Sequence, residues 1–222
     1  MASMPAGLTL LERAAGFALG CADEVTPGRL ANPTPCAAWD LGALLSHAAD
    51  SALVLRQAIS VGCVPRAVGP AAEPGEGGLG RCPDAAAAFR AETTLLLGAC
   101  AFGAAGQQVA VGGTGQQVAV GGAGQQVGGA GQQVAVGDRY LAAILVAATG
   151  AVELAVHGWD IAAACGRVRP IPPELAGDLL EVAFLVVTDA TRAGLFGPPV
   201  RVGSHARPGD KLLAMLGRTP PG

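Results

Sequence analysis

The stretch from Tyr140 to Gly166, YLAAILVAATGAVELAVHGWDIAAACG, constrains this chain more than any other. Leu, Ala and Val dominate it, so it reads as one long helix, apolar nearly all round, with Gly166 standing where a helix stop is expected. A helix of that kind belongs in the middle of a core. Three ionisable side chains interrupt it: Glu153, His157 and Asp160 fall at i, i+4 and i+7, and so share one face. An unpaired buried charge costs roughly several kcal/mol, so these groups require partners. A divalent metal is one solution, because Glu and His one turn apart project two ligands toward a common point. Hydrogen bonds to a neighbouring helix or to water are the other. Such i,i+4 pairs are common by chance, so the pair alone leaves the hydrogen-bonded reading ahead.

The 222 residues suffice for one well-buried domain, or one domain with an insertion. Against 14 basic residues stand 17 acidic ones, a net charge of −3, and no basic patch is interleaved with aromatics, which argues against a nucleic-acid partner. The mean hydropathy of +0.45 raises the question of a membrane. The strongest apolar run, Tyr140 to Val152, stops at Glu153, short of the ~20 residues needed to span a bilayer, and Leu179 to Val187 is interrupted by Glu181. The expectation is therefore a soluble bundle rich in small apolar residues, with no membrane partner. Its hydropathy would permit a homodimer through an apolar helix face. The opening MASMPAGLTLLERAAG lacks a basic segment before an apolar core and meets Glu12 early, so a cytoplasmic location is expected. Cys21, Cys36, Cys63, Cys82, Cys100 and Cys165 form no C-x-x-C pair, which argues against a zinc ribbon and a disulfide framework.

Before the long helix, the apolar spacing predicts helices over Gly7–Val25, Leu41–Ser60 and Pro83–Phe102. Asp40 is placed to cap the second, and His47 lies at the edge of its apolar stripe, a position more often filled by a hydrogen-bonded histidine than by a ligand. The segment from Gly62 to Gly80 reads as a Gly/Pro-rich loop. From Gly106 the chain repeats GQQVAVGGT, GQQVAVGGA, GQQVGGA and GQQVAVG, with periods of nine, nine and seven residues. No Asp stands in these units, so a calcium-binding roll is excluded; a flexible inserted loop is favoured over weak hairpins because Val alone supplies little area for a sheet. After the long helix come another helix over Glu174–Ala193 and a short one near Asp210 to Leu216. His205 reads as a surface residue and Asp210 as a cap.

Three blocks, TPCAAWDLGALLSH (34–47), ELAVHGWDIAAACG (153–166) and DKLLAMLGRTP (210–220), together resemble an actinobacterial metal-binding family related to the mycothiol-dependent maleylpyruvate isomerases, in the DinB-like superfamily. The resemblance implies an all-α fold: an up-down four-helix bundle over residues 1–222, with 106–137 as a low-complexity Gly/Gln/Val-rich insertion. It also implies one divalent metal, zinc first and nickel second, on the positions of His47, Glu153 and His157. Two imidazoles and one carboxylate leave a coordination position open for water or a thiolate, as catalytic zinc sites do. This supplies the partner that the polar face of the long helix lacks, and it moves the metal reading ahead. Asp160 is expected either to accept from a ligand histidine and fix its tautomer, or to pair with Arg56 or Arg139. Trp39 and Trp159 are expected to pack around the site, and Arg218 to anchor structure. The function implied is metal- and mycothiol-dependent transfer or isomerisation, with a small-molecule thiol and an electrophilic substrate as partners. The alternative is a metal-binding bundle without catalysis, in a sensing or stress-associated role. No catalytic or substrate-binding residue beyond the metal set is singled out.

Overall fold

The second helix and the long helix each open or close on chemistry visible in their own sequence. Asp40 is extended, at φ −76° and ψ 171°, and accepts from the backbone N–H of Ala43 at 2.9 Å, which opens the second helix as expected. Gly62, at φ 74°, closes it. The long helix ends in a left-handed turn at Gly166, φ 71°, where Gly166 N–H bonds to Ala163 O and Arg167 N–H to Ala162 O.

The computed structural model describes residues 7–36, 39–64, 84–108, 133–136, 139–188, 192 and 196–221. Among these the helices are α1 (Gly7–Ala22), α2 (Leu41–Val61), α3 (Ala85–Gln108), α4 (Ala143–Ala164), α5 (Pro173–Val186) and α6 (Pro208–Met215). The first four make the bundle: α1 and α2 each pack against both α3 and α4. Gly7 lies against Ile144 and Gly158 against Ala18, so α1 and α4 run in the same direction. His47 meets Glu153 while Leu55 meets Gly150, so α2 runs against α4. Arg90, near the start of α3, donates to the carbonyl of Ala22 at the end of α1, so α3 runs against α1. α5 and α6 pack on each other, and α5 docks on α1 and α4, with Arg13 and Asp178 paired at 2.6 Å across α1 and α5.

The core explains the composition. α1 buries Ala14, Ala15, Ala18 and Ala22, and this row of small residues lets α4 approach closely. A Cβ on Gly158 would lie 2.8 Å from the Cα of Ala18, so no side chain fits there without separating the two helices. Leu44, Leu45, Phe89, Leu96, Leu154 and Ile161 fill the interior. α4 is long and apolar enough to cross a membrane, but 72% of its apolar window is buried inside the protein. The high hydropathy of this helix belongs to a bundle core. Cys21 and Cys100 are buried in that core too, and burial pushes their thiols up to about 12.

Several boundaries differ from the sequence expectation, the first of them because of backbone pairing between distant segments. The long helix begins at Ala143, not Tyr140, because Arg139–Ala142 forms a strand, β3. It pairs antiparallel with β2 (Gln133–Val136), which in turn pairs in parallel with β1 (Cys63–Val64). Part of the last repeat unit and part of the expected Gly62–Gly80 loop are thereby strands, and Tyr140 and Leu141 are residue types that a pleated backbone accommodates well. Conversely, α3 runs past Phe102 into the first repeat unit and ends at Gln108. The repeat residues between Gln108 and Gln133 lie outside the described residues. Farther on, α5 ends at Val186 instead of Ala193, and residues 189–191 and 193–195 also lie outside them.

Candidate metal centre

α2 and α4 cross with His47 and Glu153 facing each other, and His157 lies one turn beyond Glu153 on the same face of α4. Glu153 Oε1 is the common point: it lies 2.7 Å from His47 Nε2 and 3.3 Å from His157 Nε2. Ser51, one turn after His47 on α2, donates to the same oxygen at 3.3 Å. The two imidazoles stand nearly perpendicular, at 87°, with ring centroids 5.2 Å apart. One ligating atom from each of His47, Glu153 and His157 falls within 4.8 Å of the others. Ligands held at 2.0–2.2 Å in a tetrahedral zinc site are about 3.4 Å from one another, so a modest adjustment brings these three donors onto one ion. The donor set fits a divalent metal, and three protein donors fall one short of a tetrahedral shell.

Access is graded. His47 and Glu153 keep 37% and 33% of their side chains exposed, His157 only 8%, and Asp160 none. Trp39, just ahead of the α2 cap, lays its indole beside both imidazoles, 4.3 Å from that of His47 and 5.9 Å from that of His157. The loop carrying Trp39 is tied down by Thr34, whose hydroxyl donates to the carbonyls of Cys36 and Trp39. The cluster therefore opens toward solvent on the His47 and Glu153 side and is walled by Trp39.

The charges lock together. Burial resists ionisation of Glu153, but the His157 cation and hydrogen bonds from both histidines outweigh it and hold the carboxyl well below its ordinary range. Burial likewise resists the His157 cation, and Glu153 and Asp160 together overcome it, raising His157 to about 9. The metal-free cluster is thus an imidazolium between two carboxylates, and binding a metal at Nε2 requires that proton to leave.

All four sequence-predicted residues meet here. Asp160 Oδ2 lies 3.1 Å from His157 Nδ1, within hydrogen-bonding distance of that ring. Among the described residues its cationic partner is Arg218, at 2.9 Å; Arg56, one of the two anticipated, pairs instead with Glu92 at 3.1 Å, and the Arg139 side chain lies outside the described residues. Trp159 is a buried core residue, His205 is exposed, and Asp210 pairs with Arg207 at 2.9 Å. Two contributors were missed at the level of sequence. Ser51 could have been found from its i+4 spacing to His47, whereas no local signal joins Arg218 to Asp160, 58 residues away.

The profile of the mycothiol maleylpyruvate isomerase N-terminal domain matches residues 11–162, a span that contains His47, Glu153, His157 and Asp160. No curated protein and no solved structure matches the chain. The chain belongs to the mycothiol maleylpyruvate isomerase N-terminal domain family.

Proposed function

We propose that this family member is a metal- and thiol-dependent transferase or isomerase of the cytoplasm. In this reading His47, Glu153 and His157 hold one divalent ion, zinc before nickel. The observation that carries it is the convergence of those three donors within 4.8 Å, open to solvent on one side. A bound divalent ion would lower the pKa of a thiol at the open position, so that thiolate is present at neutral pH. The family description names mycothiol, and mycothiol is the thiol we assign; an electrophilic small molecule is the second substrate. Trp39 flanks the space where the thiol and its acceptor would meet and shields it from water on that side. Glu153 would keep its charge, and His157 would give up its Nε2 proton on loading while keeping the one at Nδ1, which it donates to Asp160.

The test is metal content by mass spectrometry on the purified protein beside His157→Ala. About one zinc or nickel per chain, lost in the variant, is the expected result, followed by thiol-dependent turnover of an electrophile. Absence of metal from both proteins would sink the reading. One observation favours the alternative, a metal-binding bundle without catalysis. Among the described residues the further carboxylate bonded to the triad is Asp160, which is wholly buried and already paired with Arg218, so it offers no free proton donor. Metal without thiol-dependent turnover would select that alternative.

A further inference from the structure

The matched span ends at residue 162, yet the hydrogen-bond chain of the metal centre continues to Arg218. α6 ends in a left-handed turn: Gly217 has φ 82°, its N–H bonds to Ala214 O at 3.1 Å, and Arg218 N–H bonds to Leu213 O at 2.9 Å. The backbone of Gly197 lies against this turn, so close that a Cβ on Gly217 would sit 2.7 Å from the Gly197 Cα. Arg218 is delivered from there into the interior, only 7% exposed. Its Nη1 donates to Leu216 O at 2.9 Å, its Nη2 to Asp160 Oδ2 at 2.9 Å, and its Nε faces Asp160 Oδ1 at 3.5 Å. The guanidinium thus spans both oxygens of a carboxylate with no exposed surface. Among the described residues that carboxylate has one other partner, His157 Nδ1 at 3.1 Å.

We propose that Arg218 is a positioning residue for the metal centre: acting through Asp160, it fixes the His157 ring so that Nε2 faces Glu153 and His47, and thereby sets metal affinity. The proposal rests on the reading that the triad holds a divalent metal. The hydrogen bonds of Arg218 go to Leu216 O and to Asp160, so its orienting effect on His157 passes through that carboxylate. A planar guanidinium sets the plane of the carboxylate it grips, which an ammonium on a flexible stem does not do. Without Arg218, Asp160 would be a buried charge facing only an imidazole. It would then gain a proton or turn away, and Nδ1 would lose the acceptor that aims the ring. The residues past 162 are therefore part of the centre.

The experiment uses the full chain and four variants, Arg218→Gln, Arg218→Lys, Gly217→Ala and Arg207→Gln. Two quantities are read: the affinity for zinc and for nickel by chelator competition, and the His157 ring ¹⁵N shifts in the metal-free protein. Arg218→Gln should weaken metal binding roughly 10–100-fold and move the Nδ1 resonance. Arg218→Lys should recover part of both, since it restores charge without the fork. Gly217→Ala should weaken binding while keeping the guanidinium, because it strains the turn that delivers it. Arg207→Gln, at an exposed pair on the same helix, should leave both readings at wild-type values. If Arg218→Gln lowers the melting temperature but leaves metal affinity and ¹⁵N shifts unchanged, Arg218 is structural only and the proposal falls. Should that variant fail to fold, the lysine and Gly217 variants decide the matter by the same readings. If the wild type binds no metal, the metal reading fails by itself, and the Nδ1 shift alone decides whether Arg218 orients His157.

Discussion

α4 and the repeat that precedes it are built from small residues, and they behave in opposite ways. In α4 nearly every side chain has a fixed destination: Leu154 and Ile161 in the core, Gly158 against Ala18, and Glu153, His157 and Asp160 in one polar cluster. In the repeat the same unit takes two forms. Gln108 of the first unit is helical, while Gln133, its counterpart in the last, begins a strand. The difference teaches where structural information resides. A helix whose side chains each meet a distinct neighbour specifies its own conformation, whereas a unit of Gly, Gln, Val and Ala takes the conformation its flanks impose. The first three residues of the first unit continue α3, and Gln133–Val136 of the last lie between β1 and β3.

That contrast can be broken at its strongest point first. Leu154→Ala, at a site with 1% exposure, should cost about 2–5 kcal/mol in thermal or urea unfolding while leaving the His157 side of the helix able to bind metal. A loss below about 0.5 kcal/mol would mean that α4 is less committed to its neighbours than its packing indicates.

A titration sharpens the same comparison. Folding raises His157 from 6.5 to about 9, so in metal-free protein its contribution to stability is full below pH 6.5 and is lost as pH rises through about 9. Glu153 is shifted downward, so its contribution, which belongs to the same cluster, is present above pH 4.5 and is lost as pH falls through its folded-state value. NMR of the His157 ring should show a midpoint near 9, and unfolding free energy should decline across that range. A midpoint near 6.5 would show that the cluster does not form. Residues 106–137 contain no ionisable side chain and should contribute nothing to either trend.

The smallest effect is expected in the repeat itself. Deleting one nine-residue unit, residues 115–123, should change stability by no more than about 0.5 kcal/mol and leave metal stoichiometry intact, because loop closure depends weakly on length. A fall of several degrees in melting temperature would show that this unit is packed structure.

What the sequence disclosed follows the same division. The cap at Asp40, the stop at Gly166 and the i,i+4 pair of Glu153 and His157 are local patterns, and each stands in the fold as read. His47 was recovered through family resemblance, since its own apolar stripe could not say which helix it would face. β3 was hidden because its partner, β2, lies in another segment and is itself paired with β1, next to the end of α2. A helical reading of Tyr140 to Ala142 was reasonable until a second backbone was available to bond with them. The Asp160 partner was hidden for the same reason. Arg56 was as plausible by charge as Arg218, and the turn at Gly217 is what brings Arg218 to Asp160.

The placement of Trp39 also gives the protein a built-in optical reporter. The chain contains two tryptophans, and Trp159 is sealed in the core. The indole of Trp39 lies 4.3 Å from one imidazole of the cluster and 5.9 Å from the other. A cation near an aromatic face perturbs the ring electronically, and protonating or metallating those imidazoles changes the charge beside it. Emission from the unlabelled protein should therefore follow the state of the centre in real time, with Trp39→Phe as the blank that removes the signal and keeps the wall.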